Sequence, residues 1–309
     1  MAQQLWAVDS LGGYLGDQVL SKQIRHAAQP LQKIRQFVDA EGAIGKSRGD
    51  TVLFNKISNI STAGGTVAET ATIPKRNMVV RQGSLVVTEY ANAIPFTLKA
   101  QVLAEVSVPD IIKTVLRNDM AKVLDSAAAA QFVTAKFKCV CTSTASSVFT
   151  TNGTATASAA ASMSDKNVRD IVDYLKKANV PRVDGSNYVC IASTVSLRGL
   201  YDYFEAKAQY TTMKPLAAGE VGTYYGCRFI EETNYLSNVI GSDSAHGEAL
   251  FFGADAVREG IVVPEEIRID LPKDFGRDQG IAWYYMGGFV KTWDYSTDSE
   301  EHIIHVTSA

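Results

Sequence analysis

The sequence has few of the residues that build metal, redox or disulfide sites. Its 309 residues include only four cysteines and four histidines. No apolar run reaches about 18 residues, so no membrane-spanning helix and no membrane partner are predicted. The first residues, MAQQLWAVD, lack the basic and apolar segments of a secretion signal, and we expect no export. Hydrophobic residues make up 46% and charged residues 20%, which is typical of a folded globular chain.

The motifs of common enzyme sites are also missing. The sequence contains no GxxxxGKS/T phosphate loop, no GxSxG nucleophile elbow and no HExxH zinc motif. Gly12-Gly13 and Gly64-Gly65 lack the strand–glycine–helix context that a dinucleotide site needs. Because no nucleophile–base pair can be assigned, we expect no catalytic residue and no cofactor, and an α/β enzyme with an unrecognised site is the least favoured alternative.

His302 and His305 lie beside Glu300 and Glu301, and all four side chains are of types that bind metals. Residues three apart in a strand point to opposite faces of the sheet. The spacing therefore disfavours a shared metal, and the segment is predicted to be an exposed polar tail.

Glu265, Glu266 and Asp270 are neighbouring carboxylates, but no histidine, lysine or nucleophile adjoins them. Pro264 comes directly before the pair. We therefore interpret Glu265-Glu266 as a solvated turn at the entry to a strand, and not as a general acid–base pair.

Cys139, Cys141, Cys190 and Cys227 lie in apolar, strand-like segments. The spacing of the first two is too short for a CxxC motif. All four are interpreted as reduced thiols packed as small hydrophobic side chains. This usage predicts a chain that is made and kept in a reducing cytoplasm.

The most informative segment runs from Gly45 to Leu98. Apolar and polar residues alternate over 51–60, Gly64-Gly65 interrupts the pattern, and apolar residues between 73 and 87 form a return path. A two-stranded ribbon of this kind is marginal in water unless it packs against something. Its edges also leave backbone donors and acceptors open. We therefore predict an arm that lies on another subunit.

The charges are unevenly distributed around a net charge of −3. From Lys46 to Arg81, six basic and two acidic residues give +4, and from Glu248 to Asp278, four basic and eight acidic residues give −4. The two segments are either complementary surfaces of neighbouring copies or two solvated faces. The predicted contact residues are Lys56, Gly64, Gly65, Lys75, Arg76 and Arg81 on the arm and Glu259, Glu265, Glu266 and Asp274 on the acidic surface.

Helical spacing predicts a long helix from about Val108 to about Thr134, with a near capping box at Ser107 and Asp110. At 1.5 Å per residue it is roughly 40 Å long, and its single apolar stripe needs a sheet beside it. The segment 142–161 reads equally as a hairpin or a loop. Further predicted elements are helices at 17–26, 165–178 and 194–204, strands at 137–148, 187–192, 224–231, 249–252, 254–257, 267–271 and 280–293, and a loop at 210–222.

This order of elements resembles the major capsid proteins of tailed double-stranded DNA phages, which have the Hong Kong 97-type fold. The resemblance rests on the ribbon, the long helix, the strand Asn187–Ser193 leading into a helix, Gly253-Ala254-Asp255-Ala256 and the closing strand 280–293. It covers nearly the whole chain. It implies an α+β fold with an N-terminal arm (1–44), an E-loop (45–98), a P domain with a spine helix and sheet (99–163), an α/β A domain (164–262), and return strands to the P domain with a C-terminal tail (263–309).

The resemblance also implies a function. Many copies would self-assemble through hexamers and pentamers into an icosahedral head, in the host bacterial cytoplasm, and become part of the virion. A separate scaffolding protein, a portal protein and an optional decoration protein are the implied partners. The pI of about 5.9 favours double-stranded DNA as enclosed cargo over DNA as a specific ligand.

An encapsulin-type nanocompartment, which would hold enzyme cargo in a shell of the same fold, is the nearest alternative. Some relatives of the resembled family cross-link an E-loop lysine to an asparagine. Lys56 or Lys75 lies in the loop here, but no motif identifies the partner, so no cross-link is predicted.

Overall fold

The computed structural model describes residues 28–42, 49–58, 64–75, 77–104, 107–208, 222–271 and 274–309. Within these ranges the chain forms a seven-stranded sheet, a four-stranded sheet and a two-stranded ribbon, together with helices. The predicted α+β class is confirmed. The predicted helix at 17–26, most of the predicted loop at 210–222 and Arg76 lie outside the described residues. Among the described helices, none is long and apolar enough to cross a membrane.

The regular elements follow one another in chain order. The strands are β1 (Asp39–Gly42), β2 (Thr51–Ser58), β3 (Val79–Val86), β4 (Thr88–Thr97), β5 (Phe137–Ser143), β6 (Ser146–Thr150), β7 (Tyr188–Ala192), β8 (Thr223–Tyr224), β9 (Cys227–Glu231), β10 (Ala249–Phe252), β11 (Val257–Ile269), β12 (Asp278–Lys291) and β13 (Ile303–Val306). The helices are α1 (Leu98–Leu103), α2 (Val108–Val133), α3 (Asp165–Lys177), α4 (Thr194–Ala208) and α5 (Tyr295–Asp298).

Helix α2 has the predicted boundaries to within one residue, and Pro109 stands in its first turn, where no backbone donor is lost. Its buried stripe, which includes Leu116, Leu124 and Phe132, packs on the four-stranded sheet. The predicted capping box is wrong, because the Ser107 hydroxyl donates to the Asp110 side chain and accepts no helix N–H.

The four-stranded sheet has the order β1–β11–β12–β4. Strands β11 and β12 form a long antiparallel hairpin that buries Trp283 and Tyr285 beneath α2. The prediction of separate strands at 254–257 and 267–271 is wrong, as is that of a turn at Glu265-Glu266. Residues Val257–Ile269 form one strand, β11, and residues 254–256 and 270–271 lie outside it. The pairing of β11 with β12 has register shifts between Ile261 and Glu266. Such bulges bend a strand without ending it.

Strand β4 corrects the predicted extent of the ribbon. Residues 88–97 pair with β12 along their whole length, so they form an edge of the four-stranded sheet. Only β2 and β3 make the two-stranded ribbon, in a single antiparallel register from Thr51–Val86 to Ser58–Val79. Alternation of apolar and polar residues shows that a segment is a strand, but it does not identify the partner strand.

The seven-stranded sheet has the order β6–β5–β13–β10–β7–β9–β8. One of its faces packs on α3 and α4, and the core between them includes all four cysteines, which are buried and free, as predicted. The capping box at Ser164 and Asn167 is present at the start of α3. Residues 137–150 form a hairpin, and 151–164 have no regular secondary structure.

Strands β8 and β9 form a tight hairpin, although one strand was predicted over 224–231. Tyr225 and Gly226 occupy the turn with φ of 51° and 77°, the left-handed pair that suits a two-residue hairpin.

The prediction of an exposed polar tail at 300–306 is wrong. Strand β13 lies between β5 and β10, and all four of its residues are buried. His302 and His305 are 3% and 2% exposed, and Glu301 is 1% exposed. Among the described residues, no group of histidines, cysteines and carboxylates is arranged to hold a metal.

Candidate inter-subunit surface

The ribbon β2–β3 has two different faces. Directly opposed residues of an antiparallel pair share a face, so Leu53, Ile57, Val80 and Val86 lie together. We call these four residues the outer face. They are 60%, 62%, 50% and 58% exposed. An isolated subunit therefore presents to water an apolar stripe that is interrupted at its middle by the hydrogen-bonded pair Asn55 and Gln82.

The other face of the ribbon is seated on its own subunit. We call Phe54, Lys56 and Leu85 the inner face, and all three are buried. The Phe54 ring covers Gly83, where a Cβ atom would come within 2.3 Å of it, and Arg258 lies 5.0 Å from the ring centre. The inner face thus packs the ribbon onto its own subunit.

Beyond the ribbon, the described residues 64–75 of the arm are exposed and form no helix or strand. Gly64, Gly65 and Lys75 are all exposed, and nothing lies within 4 Å of a Cβ built on either glycine. Arg81 lies directly opposite Lys56 in the ribbon, and its guanidinium is 3.5 Å from Asp298. The predicted roles of these residues in contacts between copies stay predictions.

The predicted acidic surface is partly used inside the subunit. Arg35 binds both Glu259, at 2.6 Å, and Glu265. The Tyr285 hydroxyl also donates to Glu259, at 2.8 Å. Burial, followed by this carboxylate, raises the pKa of Tyr285 far above its ordinary value. Glu259 is 3% exposed, so its carboxylate joins β11, β12 and the segment before β1 within one molecule.

Glu266 and Asp274 are the more exposed members of the acidic set. Glu266 pairs with Arg268, whose guanidinium stacks 3.9 Å from the centre of the Tyr284 ring. Asp274 lies 3.6 Å from Arg277 at the tip of the β11–β12 hairpin. Pairs as exposed as these add little to subunit stability, and their side chains remain accessible to a neighbour.

The hairpin tip carries a strained and fully exposed aromatic residue. Asp274, Phe275 and Gly276 have consecutive positive φ values of 47°, 55° and 87°. Phe275 is 105% exposed, and nearby Leu271 is 81% exposed. A bulky residue in the left-handed region costs energy, and no burial of the ring offsets that cost within the subunit.

A buried polar group in the seven-stranded sheet was missed by the sequence reasoning. Lys138 Nζ lies 2.9 Å from His305 Nδ1 and donates to the Val133 carbonyl at 2.7 Å. Because an ammonium group only donates, Nδ1 accepts and the ring proton sits on Nε2, 3.5 Å from the Glu248 carboxylate. Partners inside the core thus bind part of the polar side chains of segment 300–306, while His305 Nε2 and Glu301 Oε1 are buried without a hydrogen bond. A search for lysine and glutamate partners on adjacent strands is the signal that would have revealed the burial of this segment.

This buried environment lowers the pKa of both Lys138 and His305. Burial lowers the pKa of Lys138 to about 8. Burial also lowers the pKa of His305, an effect that Glu248 opposes and Lys138 reinforces. His305 is therefore neutral at neutral pH, in a strand at the centre of the sheet.

One serine–histidine–aspartate grouping bears on the enzyme alternative. Ser162 Oγ lies 3.4 Å from His246 Nδ1, and Asp243 lies 3.4 Å from His246 Nε2. Both separations exceed the 2.6–3.2 Å or so that proton transfer between such groups requires. Asp243 is exposed, and Ile240 and His246 form an isolated bridge, so the grouping ties two loops together.

The comparisons with known proteins agree on one family. The family model of the phage capsid family matches residues 12–278. No curated protein matches the sequence. Among solved structures, the chain is similar to the capsid of Cyanophage P-SCSP1u, with a TM-score of 0.71 and 11% identity over 96% of this chain and 94% of that one.

Two further structures have the same fold. The capsid of Ralstonia phage GP4 gives a TM-score of 0.69 and 12% identity over 100% of this chain and 99% of that one. A chain of Mycobacterium phage Che8 gives a TM-score of 0.68 and 14% identity over 94% of this chain and 96% of that one. The fold is thus the Hong Kong 97-type fold of capsid proteins. Since the family model also spans most of the sequence, the chain belongs to the phage capsid family.

Proposed function

We propose that this chain is the major capsid protein of a tailed bacteriophage and forms the icosahedral shell of its head. The observation that carries the proposal is the two-faced ribbon: its inner face is packed on its own subunit, and its outer face exposes Leu53, Ile57, Val80 and Val86. An apolar stripe on a projecting arm is stabilised when a second copy covers it. The function is therefore assembly and containment without catalysis.

Four of the five predicted parts of the chain supply the proposed contacts. Residues 45–87 act as the E-loop that lies across a neighbour, α2 is the spine of the P domain, and 164–262 form most of the A domain around five- and six-fold clusters. Residues 1–44 tie adjacent subunits together. Each copy would hold several neighbours at once, so individually small interfaces combine into a stable shell.

The charge distribution supports the same arrangement. Lys75 is exposed on the arm, and Glu266 and Asp274 keep exposed carboxylates near the β11–β12 hairpin, where Glu265 is half-buried and paired with Arg35. Opposite charges on the two surfaces would guide the arm onto its neighbour and would be weakened by salt. The proposed additional partners are a separate scaffolding protein, a portal protein, an optional decoration protein and enclosed double-stranded DNA.

The arm can be removed without disturbing the ribbon, because Ser58 and Val79 are direct register partners. Replacing residues 59–78 by Asn-Gly closes β2 and β3 with a two-residue turn. We expect a soluble subunit with an unchanged unfolding midpoint that no longer forms closed shells. Light scattering and negative-stain electron microscopy of both proteins, each co-expressed with the neighbouring phage genes, measure the outcome.

Closed shells of normal yield from the shortened chain would remove the arm from the proposal. A wild-type protein that stays monomeric or dimeric under every condition would overturn the proposed function itself. Nucleic acid inside wild-type particles would support a genome-containing head, whereas packaged enzyme would point to the encapsulin-type alternative.

A further inference from the structure

A buried ion pair fixes the ribbon to its own subunit near the Ser58–Val79 end, from which residues 59–78 continue as the arm. Lys56 Nζ lies 2.6 Å from Asp298 Oδ2 and donates to the Thr292 carbonyl at 2.9 Å. The side chains are 9% and 1% exposed. This pair joins residues 242 positions apart, and it connects the arm to α5, the short helix before β13.

Asp298 is held in place from several sides. Its Oδ2 also accepts the Asp294 backbone N–H at 3.0 Å, and Arg81 of β3 lies 3.5 Å from Oδ1. Burial alone would raise the pKa of Asp298, but the hydrogen bonds from Lys56 and Asp294 outweigh it and keep that pKa below its ordinary value. The carboxylate is therefore an anion held in one position by Lys56, Arg81 and the Asp294 backbone N–H.

Two contacts without hydrogen bonds complete the attachment. The Arg258 guanidinium, at the start of β11, lies 5.0 Å from the centre of the Phe54 ring. Leu85 and Val86 pass so close to Gly288 of β12 that a Cβ there would lie 2.3 Å from the Val86 carbonyl oxygen. Such contacts are less directional than a charge-assisted hydrogen bond, so the ion pair is the contact with the most specific geometry.

A buried ion pair is weak evidence for stability, because desolvation of both charges offsets their attraction. Its better-supported use is to specify one arrangement among several packed alternatives. At the root of a projecting arm, a small change in angle moves the far end by many ångströms. The location of Lys56–Asp298 therefore suits a role in orientation.

We propose that the Lys56–Asp298 pair is a positioning latch that sets the direction in which the arm leaves its own subunit, and thereby the curvature of the shell. This inference rests on the proposed function and deepens it. The latch is intramolecular, so it acts before a neighbour is bound. Lys56 is accordingly assigned to its own subunit, which revises its predicted role as a direct contact between copies.

The test compares Lys56→Met and Asp298→Asn with a matched control, Lys291→Met. Lys291 is 8% exposed and pairs with Asp294 at 3.0 Å and with the fully buried Glu301 at 3.2 Å. Its replacement therefore removes a buried lysine close to the latch while leaving both Lys56 and Asp298 in place. All four proteins, including the wild type, are co-expressed under the same conditions. Particle diameter is measured by electron microscopy, and stability by urea unfolding of the dissociated subunits.

We expect both latch variants to reduce the yield of shells of wild-type diameter by at least about tenfold, since removing one partner leaves a buried charge unpaired. Tubes, open sheets or shells of other sizes should replace them. Lys291→Met should lower subunit stability yet keep the diameter. Wild-type diameter and yield from Asp298→Asn, which keeps the side-chain volume, overturns the latch even if Lys56→Met does not fold.

A second measurement separates the latch from the proposed function. Hydrogen exchange of the β2–β3 backbone amides in dissociated subunits needs no shell. We expect these amides to exchange at least about tenfold faster in Asp298→Asn than in the wild type and in Lys291→Met. Unchanged protection overturns the latch, whereas a wild-type protein that forms no particles overturns only the shell.

Discussion

The seven-stranded sheet and the ribbon β2–β3 solve the problem of burying apolar residues in opposite ways. Every residue of β7, β10 and β13 is buried, and the sheet also encloses Lys138 and His305, whose side-chain nitrogens lie 2.9 Å apart. The ribbon buries one face and leaves the other in water. The first region buries its apolar residues within one chain, whereas the second leaves an apolar face that we propose another copy covers.

The largest effect should come from truncating the core of the complete region. Phe251 is fully buried in β10 and meets Phe229 edge-to-face at 6.2 Å. We expect Phe251→Ala to lower the free energy of unfolding by about 3–5 kcal/mol, through lost burial and the cavity that remains. Urea unfolding of dissociated subunits measures it. A loss below about 1 kcal/mol would mean that this sheet is not the stable part of the subunit.

The two regions should also differ in the pH at which they weaken. The pKa of His305 is lowered from 6.5 in the fold, so the unfolded chain takes up a proton first as the solution is acidified. The contribution of neutral His305 to core stability is therefore fully present above about pH 6.5 and is lost as the pH falls below that value. The pKa of Asp298 is lowered from 3.8, so the latch weakens only in stronger acid.

Unfolding midpoints measured between pH 8 and pH 3 test this order. His305→Gln should flatten the curve between pH 6.5 and 5, and Asp298→Asn should flatten it below about pH 4. The same slope between pH 6.5 and 5 in wild type and His305→Gln would contradict the assignment of that acid response to the core.

A smaller effect is expected at the hairpin tip, which resembles the ribbon in exposing an apolar side chain. Asparagine tolerates the left-handed conformation of Phe275, so Phe275→Asn should raise the free energy of unfolding by about 1 kcal/mol. Tyr225→Asn is the matched control. Tyr225 has a similar φ but donates to Asp173 and stacks on Lys176, so its replacement should gain less. A larger gain at Tyr225 than at Phe275 would contradict the explanation.

The smallest change in stability should accompany the loss of the outer face. Leu53→Ser with Ile57→Ser removes side chains that are mostly in water, and the free energy of unfolding should change by less than about 0.5 kcal/mol per site. Shell yield should nevertheless fall. Val239→Ser, at a loop residue that is 66% exposed, serves as the control and should assemble normally. Normal yield from the double variant would separate the outer face from assembly.

Local patterns allowed much of the fold to be predicted. Helix α2 and the start of α3 follow from apolar spacing and from residues within one turn of Pro109 and Ser164, so one sequence contains the necessary information. The strand residues 88–97 were recognised but were assigned to the ribbon. Their true partner, β12, begins 181 residues after β4 ends, and no local rule selects it.

The candidate surface was less predictable for the same reason. Glu259 belongs to a charged segment, but its partner Arg35 is 224 positions away, and that pairing removes it from the surface. His305 was placed in a solvated tail because its neighbours are polar. Its burial depends on Lys138, supplied by an adjacent strand. The sequence shows that a charged or polar side chain requires a partner, but only the fold determines whether that partner is water or a residue distant in the chain.

Strand β13 has a consequence for the order of events during synthesis on the ribosome. It separates β5 from β10, so β5 gains its parallel neighbour only after residues 303–306 have left the ribosome. The anion that seats Lys56, Asp298, is also far downstream of the arm. When Lys56 leaves the ribosome, its partner Asp298 has not yet been synthesised. At about 5–20 residues per second, the time between the synthesis of these two residues is on the order of ten seconds or more. If the latch acts as proposed, the direction of the arm is therefore set only after almost the whole chain has been synthesised.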